Sequence, residues 1–138
     1  MEEQPKNILK TILKSSSVIA THLNLGLKPY KMSLQQFYIL CMLKQDDGRV
    51  INLSDIQEKM PHKMSNATRV IDKLIDKGMA CKIVSSSNRR KIELFITEKG
   101  IKILESLYPI IKNIENQLLH GLSDTEEHQL YNYLIRIH

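Results

Sequence analysis

The segment from Leu53 to Gly100, LSDIQEKMPHKMSNATRVIDKLIDKGMACKIVSSSNRRKIELFITEKG, decides how the rest of this chain of 138 residues is interpreted. Its apolar residues first recur at the three- and four-residue spacing of helices and then alternate as in strands. The pattern predicts two short helices, a strand, a basic turn and a second strand. That order is typical of a winged helix-turn-helix.

The second of these helices carries most of the argument. Ser65 is its expected N-cap, because a serine hydroxyl accepts from a free backbone N–H of the first turn. Gly78 is its expected end, because glycine tolerates the left-handed conformation that follows many helices. Between them one face is apolar and is expected to be buried, through Ala67, Val70, Ile71 and Leu74.

The opposite face of this helix is polar and can interact with DNA. It carries Ser65, Thr68, Arg69, Asp72, Lys73 and Asp76, with Asn66 at its flank. Hydroxyl, amide and guanidinium groups near a helix start can bind base edges and phosphates in a major groove. The alternative is an ordinary amphipathic helix whose polar face is only solvated.

The residues before and after this helix favour the DNA-binding interpretation. Upstream, Ser54 is expected to cap a short helix with Asp55 and Glu58 in its first turn, and Pro61 should end it. Downstream, strands are expected at residues 79–86 and 91–97. The turn between them carries a run of three cations, Arg89, Arg90 and Lys91, which indicates a nearby anion. A surface hairpin whose charges aid solubility is the alternative.

The net positive charge lies in this part of the chain. The whole chain has 20 basic and 15 acidic residues, a formal net charge of +5. Residues 54–91 hold nine basic and four acidic residues, so the same excess of +5 lies in this window and the remainder is neutral. Such an asymmetry is typical of a surface that contacts phosphates.

Three motifs in order resemble those of the MarR-type transcriptional regulators, over nearly the full length. The family's wing pattern is Asp-x-Arg, five residues, then Leu-Thr-x-x-Gly; here Asn88-Arg89-Arg90 is followed by Lys91 to Phe95 and then Ile96-Thr97-Glu98-Lys99-Gly100. Asn88 replaces the acid that helps to hold the wing arginine in the family. The segments MSLQQFYIL (residues 32–40) and LSDTEE (residues 122–127) resemble the starts of the family's second and last helices.

The resemblance implies a mainly α fold with a small β-hairpin wing, a winged helix-turn-helix with N- and C-terminal dimerisation helices. Residues 1–138 would form one domain, with a DNA-binding lobe at 32–100 and dimerisation helices at 1–31 and 101–138. An isologous homodimer would place its recognition helices roughly 34 Å apart, so the operator is expected to be pseudo-palindromic double-stranded DNA. A covering of the domain's own core by these helices is the alternative to a dimer.

The resemblance also implies a small-molecule pocket between the DNA-binding lobe and the dimerisation helices. In many relatives lipophilic or aromatic effectors bind there and reduce DNA binding. Residues near His22, Phe37, Tyr38 and Cys41 are candidates for its lining. We therefore expect a repressor that an effector releases.

Apolar periodicity and capping residues predict the helices that flank the central segment. A first helix is expected from Asn7 to Leu23, with a connection at 26–31, and a second helix capped by Ser33 runs to about Lys44. Its core candidates are Phe37, Leu40, Cys41 and Leu43. Residues 50–52 are a candidate short strand that pairs with the wing.

After Thr97 a long helix is expected to reach Leu119, with a kink at Pro109. Its apolar stripe comprises Ile101, Leu104, Leu107, Tyr108, Ile111, Ile114 and Leu118. A capping box of Ser123 and Glu126 starts a final helix, whose apolar side carries Leu130, Tyr133, Leu134 and Ile137.

Other function classes find little support in the sequence. No Gly-rich phosphate loop, nucleophile motif or carboxylate pair indicates an enzyme, a cofactor or a catalytic residue. The five histidines have no metal-ligand spacing. Cys41 and Cys81 are expected to be small core or edge residues rather than redox sensors. No apolar run is long enough for a membrane span, and a cytoplasmic location is expected.

The predicted DNA-contacting residues fall in two groups. Ser65, Asn66, Thr68 and Arg69 are expected to bind bases or position the helix. The expected backbone and wing contacts are Lys63, Lys73, Asn88, Arg89 and Arg90, with Arg90 the candidate for the minor groove. The alternative function is a winged-helix protein–protein interaction module that has lost specific DNA binding, to which Asn88 and the acids Asp72 and Asp76 point.

Overall fold

The computed structural model describes residues 6–45, 52–61, 66–84 and 92–138. In this part of the chain the helices are α1 (Ile8–Leu27), α2 (Leu34–Gln45), α3 (Leu53–Lys59), α4 (Ala67–Asp76), α5 (Glu98–Leu118) and α6 (Asp124–Ile135). A short 3-10 turn, Lys28–Tyr30, joins α1 to α2. Strands β1 (Ala80–Val84) and β2 (Ile92–Ile96) form an antiparallel hairpin. The predicted mainly α fold with a small β hairpin is confirmed.

The hairpin has a regular register, in which Ala80 pairs with Ile96, Lys82 with Leu94 and Val84 with Ile92. Its first residue, Ala80, is buried, whereas residues 81–84 are exposed. Strand β2 packs on the core through Leu94, which is 1% exposed, and β1 is therefore the outer strand of the wing. Its predicted basic tip, residues 85–91, lies outside the described residues.

One hydrophobic core joins the end of α1, α2, α3, α4, the hairpin and α5. Its fully buried side chains are Leu27, Ile39, Leu40, Ile56, Leu74, Leu94, Leu104 and Leu107. Burial of leucine and isoleucine at these positions favours folding by about 1.5–3 kcal/mol for each side chain. Of the predicted core residues of α2, Phe37, Leu40 and Leu43 are buried and Cys41 is half-buried.

Two of the four predicted serine caps, Ser33 and Ser123, are present. Ser33 Oγ accepts from the Gln36 backbone N–H at 3.1 Å, and Gln36 Oε1 accepts from the Ser33 N–H at 3.1 Å. Ser123 and Glu126 make the same reciprocal pair, the predicted capping box, at 3.2 and 3.0 Å before α6. These pairs fix where α2 and α6 begin, because they satisfy donors that the first helical turn leaves free.

The first helix is longer than predicted. We expected it to end at Leu23 with a connection from Gly26, but α1 continues to Leu27. A side chain at Gly26 would collide with Ile114 of α5. Glycine therefore allows α1 and α5 to approach closely, and this packing keeps the helix intact despite the low helix propensity of glycine.

The cap of α3 was wrongly predicted. Asn52, not Ser54, is the N-cap, and its Oδ1 accepts from the Asp55 N–H at 2.9 Å. The Ser54 hydroxyl donates to the same oxygen at 2.6 Å. Asp55 lies in the first turn but Glu58 does not. Asn52 therefore belongs to a helix start; Val50 and Ile51 of the candidate strand lie outside the described residues.

The remaining differences concern α4 and α5. Asn66, not Ser65, occupies the N-cap position of α4, and it makes no side-chain capping bond; Ser65 lies outside the described residues. Tyr108, predicted in the apolar stripe of α5, is 39% exposed. Helix α5 runs through Pro109 from Glu98 to Leu118, and the kink there stays a prediction.

Candidate nucleic-acid interface

The recognition helix α4 is held by its predicted apolar face. Ala67, Val70, Ile71 and Leu74 are all buried, with exposed fractions between 0% and 6%. Their three- and four-residue spacing puts them on one side of the helix. The opposite side of α4 is therefore directed outward by packing and not by a local hydrogen bond at its start.

Gly78 ends α4 as predicted. Its φ of +74° is left-handed, which glycine adopts without the steric cost of a Cβ. The Gly78 N–H donates to the Ile75 carbonyl at 2.9 Å and the Met79 N–H to the Leu74 carbonyl at 3.0 Å. This turn directs the chain from the helix into β1, so that the wing starts at a fixed place beside α4.

Thr97 fixes the other end of the wing. Its hydroxyl donates to the Gly78 carbonyl at 2.6 Å, and its backbone N–H donates to the Met79 carbonyl at 3.1 Å. The same hydroxyl oxygen accepts from the Gly100 N–H at 3.1 Å and so caps α5. One residue thus joins the end of the recognition helix, the wing base and the start of α5.

The described part of the predicted DNA surface is exposed. Asn66, Thr68, Arg69 and Lys73 all have exposed side chains. Thr68, Arg69 and Lys73 are on α4, and Asn66 is the residue before it. The helix therefore brings them together on its solvent side, as the periodicity indicates. Lys63, Ser65, Asn88, Arg89 and Arg90 lie outside the described residues.

An ion pair joins the recognition helix to the wing. Lys82 Nζ of β1 lies 3.5 Å from Asp72 Oδ1 of α4, with side chains 44% and 49% exposed. Such an exposed pair contributes at most about 1 kcal/mol. The pair also offsets the negative charge of Asp72 on this face of α4, because the Lys82 ammonium lies beside it. The sequence did not indicate Lys82, since the pairing depends on how β1 packs beside α4.

A large apolar cavity lies between α1, α2, the end of α3 and the C-terminal helices. Its volume is about 990 Å³. Apolar residues of α1, α5 and α6 form most of its wall, including Ile12, Leu23, Leu118 and Leu130. Tyr38, Gln35, Lys10 and Lys14 add polar groups. This is the place where the resemblance implies an effector pocket.

Of the candidate lining residues, only Tyr38 lines this cavity. Phe37 is 5% exposed within the core, and Cys41 is half-buried. His22 is exposed, and its Nδ1 lies 2.9 Å from the Val18 carbonyl oxygen of its own helix. Burial raises the pKa of Tyr38, as does the neighbouring Cys41 thiol. Tyr38 therefore offers a neutral hydroxyl at neutral pH.

The cysteine environments bear on redox sensing. Burial raises the pKa of Cys41 to about 11, although a hydrogen bond with Tyr108 and the charge of Lys44 act in the opposite direction. A thiol with this pKa is almost wholly protonated at neutral pH and reacts slowly. Cys81 is exposed on β1. Cys41 is therefore a packed thiol, in agreement with the expectation.

Metal ligands do not cluster in the part of the chain that the structure describes. In residues 6–45, 52–61, 66–84 and 92–138, no group of three or more His, Cys, Asp or Glu side chains could hold a metal ion. No helix in these ranges is long and apolar enough to cross a membrane.

Comparisons with known proteins agree with this geometry. Residues 32–92 match the MarR family model. The transcriptional repressor MprA of Escherichia coli K12 is 28% identical over 123 residues, which cover 89% of this chain and 70% of MprA.

Two solved structures show the same fold. A MarR transcriptional regulator from Methanosarcina mazei has a TM-score of 0.80 and 25% identity, covering 94% of this chain and 92% of that one. The MepR–DNA complex of Staphylococcus aureus has a TM-score of 0.80 and 20% identity, covering 96% of this chain and 97% of that one. The winged-helix arrangement is thus shared along almost the whole chain.

Proposed function

Because this chain is a winged-helix regulator of the MarR type, we propose that it is a sequence-specific DNA-binding repressor, acting as a homodimer that a small lipophilic or aromatic effector releases. The observation that carries the proposal is the division of α4 into two faces. Four apolar residues are buried and three polar residues, Thr68, Arg69 and Lys73, are exposed together. MepR, a structural neighbour, is described in complex with DNA.

Arg69 and Thr68 are suited to base contacts, and Lys73 to a phosphate contact. An arginine can bind guanine through two hydrogen bonds, and a lysine supplies a mobile charge for the backbone. The pairing of Asp72 with Lys82 offsets the charge of one of the two acids on this helix face, and Asp76 is exposed. The proposed DNA-contacting set is completed by Lys63, Ser65, Asn66, Asn88, Arg89 and Arg90.

The decisive experiment is binding of the purified protein to the DNA upstream of its own gene, across a salt series. We expect preference over random DNA of equal length and affinity that falls steeply with salt, by about 0.9 logarithmic units per decade of salt for each phosphate contact. Arg69→Ala should weaken specific binding by about 1–3 kcal/mol. Lys102→Ala on α5 removes the same charge elsewhere and should leave the preference unchanged.

Equal and weak binding to both DNAs would count against this operator and would favour the protein-interaction alternative, which a pull-down then tests. An unchanged operator affinity of Arg69→Ala would remove Arg69 from the contact set. A salt slope near zero would contradict a phosphate-contacting surface altogether, because counterion release accompanies every such contact.

The homodimer is supported by exposed apolar side chains on α1 and next to the end of the chain. On α1, Ile8, Leu9 and Leu13 are 69%, 74% and 71% exposed. On and just after α6, Tyr131, Tyr133 and Ile137 are 63%, 58% and 65% exposed. Apolar patches of this kind mark surfaces that another protein covers. We propose that the N- and C-terminal helices of a second copy cover them.

Sedimentation or light scattering tests this arrangement. Leu13→Glu should shift the protein from dimer to monomer, because a carboxylate would be buried without a partner. Leu25→Glu is the matched control: Leu25 is 62% exposed at the other end of α1, so this variant should remain dimeric. A monomeric wild-type protein, or two variants that behave alike, would contradict the proposed interface.

The cavity beside Tyr38 is the proposed effector site. Its apolar wall suits a lipophilic or aromatic group, and Lys10 and Lys14 suit an acidic substituent. An effector that binds better to a dimer spacing unlike the DNA-bound one would release the operator. Ala20 lines the cavity, so Ala20→Phe should fill it. We expect this variant to bind DNA normally and to lose its response to aromatic acids; a retained response would place the site elsewhere.

A further inference from the structure

A second concave site lies beside the far end of the recognition helix and is lined by cations. It is a groove of about 860 Å³ between the end of α1, the 3-10 turn, the start of α2 and the end of α4. Four lysines line it, Lys28, Lys31, Lys73 and Lys77. Among the described residues no carboxylate lines the groove, and neither ion pair in this part of the chain involves these lysines.

One of the four ammonium groups is held in place by the fold. Lys77 Nζ donates to the backbone carbonyl of Lys31 and, at 3.2 Å, to Gln36 Oε1. Gln36 is only 5% exposed. Its Oε1 also accepts from the Ser33 N–H at 3.1 Å, so the cap of α2 orients the amide that binds Lys77. The charge of Lys77 is therefore positioned at the groove rather than free in solvent.

The electrostatics of the groove favour an anion. Burial lowers the pKa of Lys77, and the charges of Lys73 and Lys31 lower it further. Like charges close to one another disfavour the charged form, and a bound anion reverses that effect. Here the lysines share one concavity, and the described residues that line it supply no counter-charge.

We propose that this groove binds a small molecule that carries two or more phosphate groups, such as a nucleoside diphosphate. Four cations match the multiple charges of a diphosphate better than a single carboxylate. Thr21 and Asn24 add hydrogen-bonding groups, and Leu25 and Met32 add an apolar wall for the organic part.

The position of the groove distinguishes it from the proposed DNA surface. Recognition helices contact bases mainly through their N-terminal residues. Lys77 is the C-cap of α4, and a helix of 10 residues is about 15 Å long. Only Lys73 belongs to both surfaces. Lys28 and Lys31, on the 3-10 turn and the residue after it, lie outside the proposed DNA-contacting set.

Calorimetric titration of the DNA-free protein with pyrophosphate, at constant ionic strength, tests the proposal. We expect saturable binding of one pyrophosphate per protomer, with chloride and inorganic phosphate much weaker. The double variant Lys28→Gln/Lys31→Gln should weaken binding by about tenfold for each lost ammonium contact. ADP should compete with pyrophosphate, because both would use the same cations.

The matched control is Lys99→Gln/Lys102→Gln, which removes two charges from exposed lysines of α5. It should bind pyrophosphate like the wild type. Thermal unfolding of both double variants without ligand shows whether they remain folded. Absence of saturable binding, or equal losses in the two variants, would overturn the proposal. Because the titration contains no DNA, its result is independent of whether the protein proves to be a repressor.

Discussion

Gly100, in the first turn of α5, lies directly against the carbonyl oxygen of Met79, and an added Cβ at Gly100 would overlap that oxygen. The same carbonyl accepts from the Thr97 N–H at 3.1 Å. Because the obstacle is backbone that is itself held by a hydrogen bond, it has little freedom to move. Close approach of this glycine thus sets where α5 begins relative to the base of the wing.

Gly100→Ala should therefore destabilise the protein by about 1–3 kcal/mol, the usual cost of overpacking a tight site. Urea denaturation measures the change in the free energy of unfolding. Gly121→Ala is the matched control, since a Cβ there meets nothing within 4 Å beyond its own chain neighbours, and it should change stability by less than about 0.5 kcal/mol. Equal effects would show that the Met79 carbonyl is not the obstacle.

Gly26→Ala should behave differently, because the obstacle there is the end of a side chain. Its Cβ would collide with Ile114 Cδ1, which can move or be removed. Ile114→Val deletes that methyl group at a cost of about 0.5–1.5 kcal/mol. In this background Gly26→Ala should stabilise α1 by about 0.8–1 kcal/mol, the helix-propensity gain of alanine.

A double-mutant cycle in urea, at one protein concentration, checks this coupling between Gly26 and Ile114. The Gly26→Ala substitution should be less favourable in the wild-type background than in the Ile114→Val background, where the obstructing methyl group is absent. Additive effects would mean that the two helices do not restrict each other at this point.

Asn52→Ala should destabilise the protein by about 1 kcal/mol, because Asn52 caps α3. Ser54→Ala should cost less than about 0.5 kcal/mol, because the Ser54 hydroxyl is exposed and caps nothing. Thermal or urea unfolding of the two variants separates the roles of these neighbours. A larger loss of stability in Ser54→Ala than in Asn52→Ala would indicate that Ser54 caps α3, as the sequence predicted.

Cys41 should react with iodoacetamide far more slowly than Cys81. With a pKa of about 11, only about one Cys41 thiol in a thousand is ionised at pH 8, and the thiolate is the nucleophile. Cys81 is exposed on β1. Peptide mass spectrometry after timed alkylation checks the order, and unfolding the protein in urea should abolish the difference.

The same pKa predicts how stability changes with pH. The pKa of Cys41 in the folded chain, about 11, lies above the ordinary value of 9.0. Between these two pH values the Cys41 thiol therefore keeps its proton in the folded chain and loses it in the unfolded chain. The contribution of Cys41 is therefore present below pH 9 and decreases as pH rises towards 11. Cys41→Ala should flatten the fall in stability over this interval. An unchanged slope would mean that Cys41 titrates alike in both states.

The sequence by itself determined the elements whose signals are local. The buried face of α4 followed from its helical spacing, and β2 followed from its alternation. The turn at Gly78 and the serine caps at Ser33 and Ser123 also followed from short segments. These features depend on residues within one or two turns of each other, so periodicity and turn chemistry suffice to predict them. The exposed polar face of α4, and with it much of the candidate DNA surface, follows from the same periodicity.

Only the tertiary structure decided the features that join distant parts of the chain. Helix α1 continues beyond Gly26 because α5 packs against it at this residue. Asp72 forms an ion pair with Lys82 because β1 lies beside α4. The cation-lined groove unites two lysines of the turn after α1 with two lysines at the end of α4, which are separated by about 45 positions in sequence. No local pattern encodes such neighbours, because their proximity is set by how the core packs and not by the conformation of any one segment.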